Sequence, residues 1–286
     1  MLVLTLILIS ILTPLATAQA GPNKRSNLTL TLDPVDFPER APNGAALRGN
    51  YELVANDALL IVSGMFAHEA APESRPIVIK LADTPRSDVT SDPDHILIYL
   101  ALPDNSLYGM DYTRFTYQLS HELGHVWMGA RRTNGLIETL ADAISLEALD
   151  RMAVLWSAKY ADYPAWADFA PNFRLYRQRV EASGIATLPA RVRGATADND
   201  WKTVTDYMRK ETAALDKSPY ASSAYPLRTL GAIVMRSREV DWTAFVNITA
   251  ATAPSPSNDT RYREDLPVRI ATLPPAARSS LERAGW

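Results

Sequence analysis

His121 and His125 stand four residues apart, and Glu122 directly follows the first of them. On an α-helix that spacing puts both imidazoles on one face, one turn apart, where two neutral rings can ligate one zinc ion. Glu122 falls at the edge of the same face, where its carboxylate can reach a metal-bound water molecule without being a ligand itself. These residue types and their spacing therefore predict a metal centre with an adjacent proton acceptor.

A catalytic zinc site needs a third protein ligand and one open position. We predict that Glu138 is the third ligand, because it follows His125 by thirteen residues and lies near the start of the next predicted helix. If the two helices fold back antiparallel through residues 130–135, His125 and Glu138 come to similar heights. The remaining histidines, His68 and His95, lack the close downstream spacing of a metzincin third histidine.

Asp142 follows Glu138 by four residues, so the two acids share one helix face. A zinc-bound histidine usually donates its second ring N–H to an acceptor, and we predict that Asp142 is this acceptor. Two alternatives stay open. The acids could favour the start of their helix by electrostatics alone, and the histidines could be surface residues flanking a glutamate.

Two helices must position these residues. We predict the first from Asp111 to Gly129 and the second from Leu136 to Leu155, after the break at Asn134-Gly135. An apolar stripe at helical spacing marks the core-facing side of the first helix and leaves the histidines off it. Its members are Phe115, Leu119, Leu123 and Val126.

In the rest of the chain, the sequence predicts strands and one helix in the N-terminal part and only helices in the C-terminal part. Alternating or continuous apolar residues predict strands at 28–32, 77–81 and 95–100, and a turn follows at 103–105. Apolar residues at helical spacing predict helices at 46–67, 172–182, 201–215, 225–238, 241–251 and 275–283. This order predicts an α+β fold with a small N-terminal sheet, a catalytic part at 21–157 and a helical C-terminal part at 158–286.

The first twenty residues have their own composition. Leu2 to Leu12 is almost wholly apolar, Pro14 ends any helix, and small residues surround Ala18 and Ala20. This pattern is typical of a secretory signal peptide at 1–20, cleaved after Ala18 or Ala20, which predicts a secreted or periplasmic protein with no stable membrane span after cleavage. An uncleaved anchor or a wrongly chosen start codon is the alternative.

Overall composition limits the classes of function. The net charge of −3 and the absence of a long basic stretch argue against a nucleic-acid partner. The chain has no cysteine, which excludes disulfides, a cysteine nucleophile and a thiolate zinc site. A hydrophobic content of 47% is enough for a buried core, which must hold the fold together with any metal. Oligomeric state is left open.

The pattern from His121 to His125 followed by Glu138 and Asp142 resembles the gluzincin zinc peptidases, whose third ligand is a glutamate on the next helix. The resemblance covers roughly residues 95–155, and the spacer between the motifs is shorter than in the well-known gluzincins. It implies a zincin-like fold, a bound Zn²⁺ ion and a peptide or protein substrate. It also implies that the strand at 96–100 lies along the substrate cleft.

Gluzincin-like enzymes tend to place a Tyr or His where it stabilises the oxyanion, and Tyr225 opens a Tyr-then-Gly helix start of that kind. Tyr220 is a rival, and a buried tyrosine with a satisfied hydroxyl is an equal alternative. The resemblance thus predicts an exported zinc-dependent hydrolase with Glu122 as general base. A non-catalytic exported zinc-binding or envelope protein on the same scaffold is the alternative.

Overall fold

The computed structural model describes residues 28–72, 74–88, 90–129, 135–217, 224–238, 240–251 and 273–283. The predicted signal peptide at 1–20 and the rival tyrosine, Tyr220, lie outside these residues. So does most of the predicted turn between the two central helices, at 130–134. Among the described helices, none combines the length and apolar character needed to cross a membrane.

A small mixed sheet forms the N-terminal part. Its strands, in chain order, are β1 (Leu30–Leu32), β2 (Ile77–Leu81), β3 (Arg86–Asp88) and β4 (Ile96–Leu100). Among the described residues the spatial order is β1-β2-β4-β3; β1, β2 and β4 are parallel, and β3 pairs antiparallel with β4. The strands predicted at 77–81 and 95–100 are confirmed, and β3 was not foreseen because its residues, Arg-Ser-Asp, are polar.

Helices make up most of the remaining described chain. In chain order they are α1 (Arg48–Met65), α2 (Asp104–Tyr108), α3 (Tyr112–Met128), α4 (Gly135–Lys159), α5 (Pro164–Ala167), α6 (Ala170–Ile185), α7 (Ala190–Ala197), α8 (Trp201–Lys217), α9 (Tyr225–Ser237), α10 (Ile248–Ala251) and α11 (Pro275–Arg283). A 3₁₀ helix spans Trp242–Phe245. The architecture is therefore the predicted α+β class.

The helix α1 connects the parallel strands β1 and β2 and packs on the sheet and on α3. The apolar residues that predicted a helix at 46–67 are buried, among them Leu47 just before α1 and Tyr51, Val54 and Met65 within it. Alternate residues of β2 and β4 are fully buried on one face of the sheet; they are Ile77, Ile79, Ile96, Ile98 and Leu100. Burial of the apolar face of α1 and of this face of the sheet supplies the hydrophobic stabilisation that a chain without disulfides needs.

The helices α3 and α4 pack closely at the centre of the molecule. Gly124 makes this approach close: a Cβ atom there would lie 2.9 Å from Ile144 Cδ1 and 3.7 Å from the Ala141 Cα. Both helices are buried over most of their length, so α4, which carries Glu138 and Asp142, is a core helix. The short separation at Gly124 lets side chains on the two helices reach a common point.

Hydrogen bonds join the C-terminal end of α4 to α1. The buried carboxylate of Asp57 on α1 accepts hydrogen bonds from Trp156 Nε1 at 3.1 Å and from the Tyr160 hydroxyl at 3.1 Å. Lys159 donates to the same carboxylate at 2.5 Å. Since α4 continues to Lys159, the expected boundary at residues 157–158 falls inside this helix.

Two local predictions are wrong. The turn expected at 103–105 is the start of α2, because the Pro103 carbonyl accepts hydrogen bonds from the amides of Ser106 and Leu107. The helix expected at 241–251 is broken into the 3₁₀ helix and α10, because Asn247 between them has φ 54°, a left-handed conformation that no α-helix accommodates.

Gly129 ends α3 with φ 96°, in the left-handed region that favours glycine. The Thr249 hydroxyl caps this end by bonding the Met128 and Gly129 carbonyls at 2.8 and 2.5 Å. A Cβ atom on Gly129 would lie 2.2 Å from that hydroxyl oxygen. The C-terminal end of α3, the helix that carries the histidines, therefore packs closely against a segment more than a hundred residues away in the sequence.

We expect Gly129→Ala to lower the free energy of unfolding by about 1–3 kcal/mol, because alanine is strained at this φ and must displace Thr249. Chemical denaturation followed by circular dichroism measures the change. The matched control is Gly194→Ala inside α7, where an added Cβ meets nothing within 4 Å. That variant should gain roughly 0.5–1 kcal/mol. If the two substitutions changed the free energy of unfolding equally, the close packing of Thr249 on Gly129 and the need for glycine at this φ would be contradicted.

Candidate metal centre

Three side chains from α3 and α4 converge in the core of the molecule. His121 Nε2 lies 3.2 Å from His125 Nε2, and the Glu138 carboxylate lies 3.3 Å from the former and 3.4 Å from the latter. Glu138 and His125 are buried, and His121 is partly exposed. The structure thus brings together the three residues that the sequence predicted as ligands, and the group can hold a metal ion.

The spacing of these atoms fits a small tetrahedral ion. With metal–ligand bonds of about 2.0–2.1 Å, two ligand atoms in tetrahedral geometry lie roughly 3.3–3.4 Å apart. The 3.2 Å between the two Nε2 atoms is close to this edge, and the Glu138 carboxylate approaches His121 through Oε2 at 3.3 Å and His125 through Oε1 at 3.4 Å. Two imidazoles and one carboxylate leave the fourth tetrahedral position without a ligand from the cluster.

Burial gives a second test of fit. Glu122, Glu138 and Asp142 are each buried to within a few per cent of full burial, and the Arg228 guanidinium lies beside Glu138 and Asp142. Buried charges are normally paired or bound to metal, so a divalent cation held by the cluster would add compensation for these carboxylates.

Asp142 fixes the orientation of His121. Its Oδ1 atom lies 3.0 Å from His121 Nδ1, so the neutral imidazole carries its proton on Nδ1 and turns the Nε2 lone pair toward Glu138 and His125. This is the geometry that the four-residue spacing between Glu138 and Asp142 predicted.

Two further residues surround Asp142, and the sequence did not single out either. Arg228 on α9 donates through Nε and Nη2 to the two carboxylate oxygens, both at 2.9 Å, and its Nη2 lies 3.4 Å from Glu138 Oε2. The Tyr117 hydroxyl on α3 donates to Asp142 Oδ1 at 3.3 Å. Only their positions in the sequence could have indicated these two residues. Tyr117 precedes His121 by one helical turn, and Arg228 follows Tyr225 by nearly one turn.

Burial and neighbouring charge act against each other on these groups. Burial acts to lower the pKa of His121, but hydrogen bonds to Asp142 and Glu138 and their charges outweigh it and raise that pKa to about 10. Burial acts to raise the pKa of Glu138, but the two histidines hold it well below its usual range. Burial and then the charge of Asp142 raise the pKa of Tyr117, which therefore stays a hydrogen-bond donor.

We expect metal affinity to rise with pH by about tenfold per unit between pH 6 and 8, because the ion must displace one proton from His121. Calorimetric titration of metal-free protein with zinc, in two buffers of different ionisation enthalpy, counts the protons released; the expected number is about one. In Asp142→Asn the pKa of His121 should fall toward its ordinary value of about 6.5, so fewer protons should be released at pH 7.5. An affinity that does not change over this range would contradict protonated His121.

Glu122 directly follows His121 on α3 but does not belong to the cluster. It is buried on α3, yet it is not one of the residues whose ligand atoms converge. Among the described residues it forms no hydrogen bond or ion pair through its carboxylate. A buried carboxylate without a protein partner is expensive unless water or an ion satisfies it, so Glu122 is suited to binding a water molecule.

Tyr225 opens α9, three residues before Arg228, and 37% of it is exposed. Burial and then the charge of Asp142 raise its pKa, while the hydroxyls of Thr229 and Ser183 act to lower it. The charge of Asp142 thus acts on Tyr225, and the role of Tyr225 as oxyanion donor stays a prediction.

The two other histidines lie outside the cluster. His68 Nδ1 is 2.9 Å from the Ser63 hydroxyl, and His95 Nδ1 is 3.3 Å from both carboxylate oxygens of Asp92. Neither belongs to the group of potential ligands found among the described residues.

No protein-family model matches the chain, and searches of curated proteins and of solved structures found no match to it. The interpretation of this site therefore rests on the motif and on the geometry of its side chains.

Proposed function

We propose that the protein is an exported zinc-dependent hydrolase, a gluzincin-type peptidase that cleaves peptide bonds. The observation that supports this most directly is the convergence of His121 Nε2, His125 Nε2 and the Glu138 carboxylate at separations of 3.2–3.4 Å. The buried Glu122 directly follows His121 in the sequence, and its carboxylate makes no hydrogen bond or ion pair with any residue that the structure describes. A purely structural metal site would gain nothing from a carboxylate so placed.

The ligand set favours zinc. Two imidazoles and one carboxylate at tetrahedral spacing are a catalytic zinc set, whereas magnesium and calcium prefer oxygen ligands alone. A zinc ion held there supplies Lewis-acid chemistry, polarising a substrate carbonyl and making a water molecule more acidic.

The protein's own residues then have distinct tasks. Glu122 accepts a proton from the attacking water and returns it to the leaving amine. Asp142 holds His121 in one tautomer, and Arg228 and Tyr117 hold Asp142 in place. Tyr225, on the same helix as Arg228, is the candidate donor to the oxyanion of the tetrahedral intermediate.

The edge of the sheet offers a place for an extended substrate. The resemblance placed the strand at 96–100 along the cleft, but β4 lies inside the sheet and β3 is its edge. We therefore place the substrate backbone along β3, which packs near α3 and is an edge strand of the sheet that the described residues form. On this edge strand, the guanidinium carbon of Arg86 lies 4.0 Å from the centroid of the Tyr99 ring, which is a cation–π contact.

Residues 1–20 supply the export signal in this proposal, and the mature chain begins after Ala18 or Ala20. The absence of cysteine leaves the fold independent of the oxidising machinery of the destination compartment.

Protein hydrolysis that depends on a bound metal tests the proposal. We expect the purified protein to carry about one zinc ion per chain, to degrade an unfolded protein such as casein, to lose that activity on dialysis against a chelator and to regain it with zinc. Stoichiometric zinc without hydrolysis of casein or of a random peptide library would instead support the non-catalytic zinc-binding protein.

A further inference from the structure

The helix α9 contacts α4 through two arginine–aspartate pairs. Arg228 pairs with Asp142 at the metal centre, and Arg236 Nη2 pairs with Asp150. Each partner of the second pair lies eight residues beyond its counterpart in the first, which is about 12 Å along a helix. The two helices therefore run in the same direction and are joined at two levels.

The second pair belongs to a distal ion cluster, formed by Glu147 and Asp150 on α4, Arg177 and Glu181 on α6, and Arg236 on α9. Arg236 Nη1 donates to Glu181 at 2.6 Å, and Arg177 Nε donates to Asp150 at 2.9 Å. Arg236 Nε is buried 3.6 Å from Glu147 and makes no hydrogen bond to any residue that the structure describes. These side chains are 15–28% exposed, so the charges are shielded from water and depend on one another.

A close approach of α6 and α9 lies between the two levels. A Cβ atom on Gly184 of α6 would lie 2.4 Å from the hydroxyl oxygen of Thr229, the residue after Arg228. The position of α9 is thus restricted from two sides, by α6 and by α4. A shift of α9 along α4 would break the ion pairs at both levels together.

We propose that the distal ion cluster positions the metal centre, by holding α9 at the level where Arg228 bonds both oxygens of Asp142. Arg236 is then a positioning residue that acts through Arg228 and Asp142 on His121. The inference rests on the proposed metal site. Its physical basis is that removing Arg236 leaves Asp150 and Glu181 facing each other with less compensation, which favours separation of α6, α9 and α4.

Metal affinity of single and double variants tests this coupling. We expect Arg236→Met to lower zinc affinity about tenfold, as measured by competition with a chromophoric chelator, because changes around a metal ligand's hydrogen-bond partner cost 10–100-fold. In an Arg228→Met background, Arg236→Met should change the affinity less than twofold further, since its effect passes through Arg228. If the double variant lost zinc affinity by the product of the two single-variant losses, the proposal would be overturned.

A structural control separates positioning from general loss of stability. Asp57→Asn removes the carboxylate that joins α1 to the far end of α4, so it should lower the unfolding free energy and leave zinc affinity unchanged. If Arg236→Met lowers the unfolding free energy as much and also leaves zinc affinity within twofold of the unchanged protein, the cluster is only structural and the proposal fails.

A second measurement needs no metal, so it distinguishes failure of this inference from failure of the proposed function. Because the chain has no cysteine, spin labels at Val154→Cys on α4 and Ser237→Cys on α9, both exposed, report one distance. We expect Arg236→Met to shift or broaden this distance in metal-free protein. An unchanged distribution would refute the positioning role, whereas a wild-type chain that binds no zinc would refute the metal centre itself.

Discussion

Glu122→Gln is expected to lower the kcat for peptide hydrolysis by about 10²–10⁴-fold while zinc stays bound at one ion per chain. Glutamine keeps the shape of the side chain but cannot accept a proton from water. Metal retention is expected because Glu122 is outside the converging ligand group. Steady-state kinetics on a fluorogenic peptide, together with zinc analysis of the same sample, measures both quantities.

The matched control for this variant is Glu69→Gln, which removes the same charge from an exposed position. It should leave kcat unchanged. Loss of zinc from Glu122→Gln would show that Glu122 is a ligand, and activity close to that of the unchanged protein would remove it from the role of general base.

Glu138→Gln is expected to lower zinc affinity by more than about 100-fold, a larger loss than changes outside the ligand set produce. The neutral amide is a weaker ligand than the carboxylate that lies 3.3 and 3.4 Å from the two histidine nitrogens. It also leaves the guanidinium of Arg228, 3.4 Å from Glu138 Oε2, facing the bound ion with less compensation. Competition with a series of chelators of known affinity covers the required range.

Asp142→Asn provides the graded comparison, because Asp142 touches His121 rather than the ion. Its expected loss is about 10–100-fold, smaller than that of Glu138→Gln. If the two variants bound zinc equally well, or if Asp142→Asn were the more damaging, Glu138 would not be the third ligand.

The features of the site that the sequence predicted depend on local spacing. A four-residue separation of His121 and His125, and another of Glu138 and Asp142, set their relative positions once each segment is helical. Apolar residues at helical spacing predicted the helices α1 and α3, and the break at Asn134-Gly135 predicted where α4 begins. The antiparallel return between α3 and α4 followed from the short connection. For these reasons the sequence alone predicted the ligand cluster and the contact between His121 and Asp142.

The parts that the sequence did not predict depend on contacts between distant segments. Arg228 pairs with a carboxylate 86 residues away, and Thr249 caps a helix end 120 residues away. No spacing rule joins such residues, since their proximity results from packing of whole helices. The strand β3 was missed for a different reason: its polar residues carry no apolar alternation, and only pairing with β4 makes it a strand.

A zinc-edge anomalous difference map, from crystals of protein never exposed to a chelator, shows directly whether the cluster holds zinc. We expect one strong peak within about 2.2 Å of His121 Nε2, His125 Nε2 and a Glu138 carboxylate oxygen, with water as the remaining neighbour. A peak elsewhere in the chain, or an empty cluster in protein saturated with zinc, would contradict this expectation.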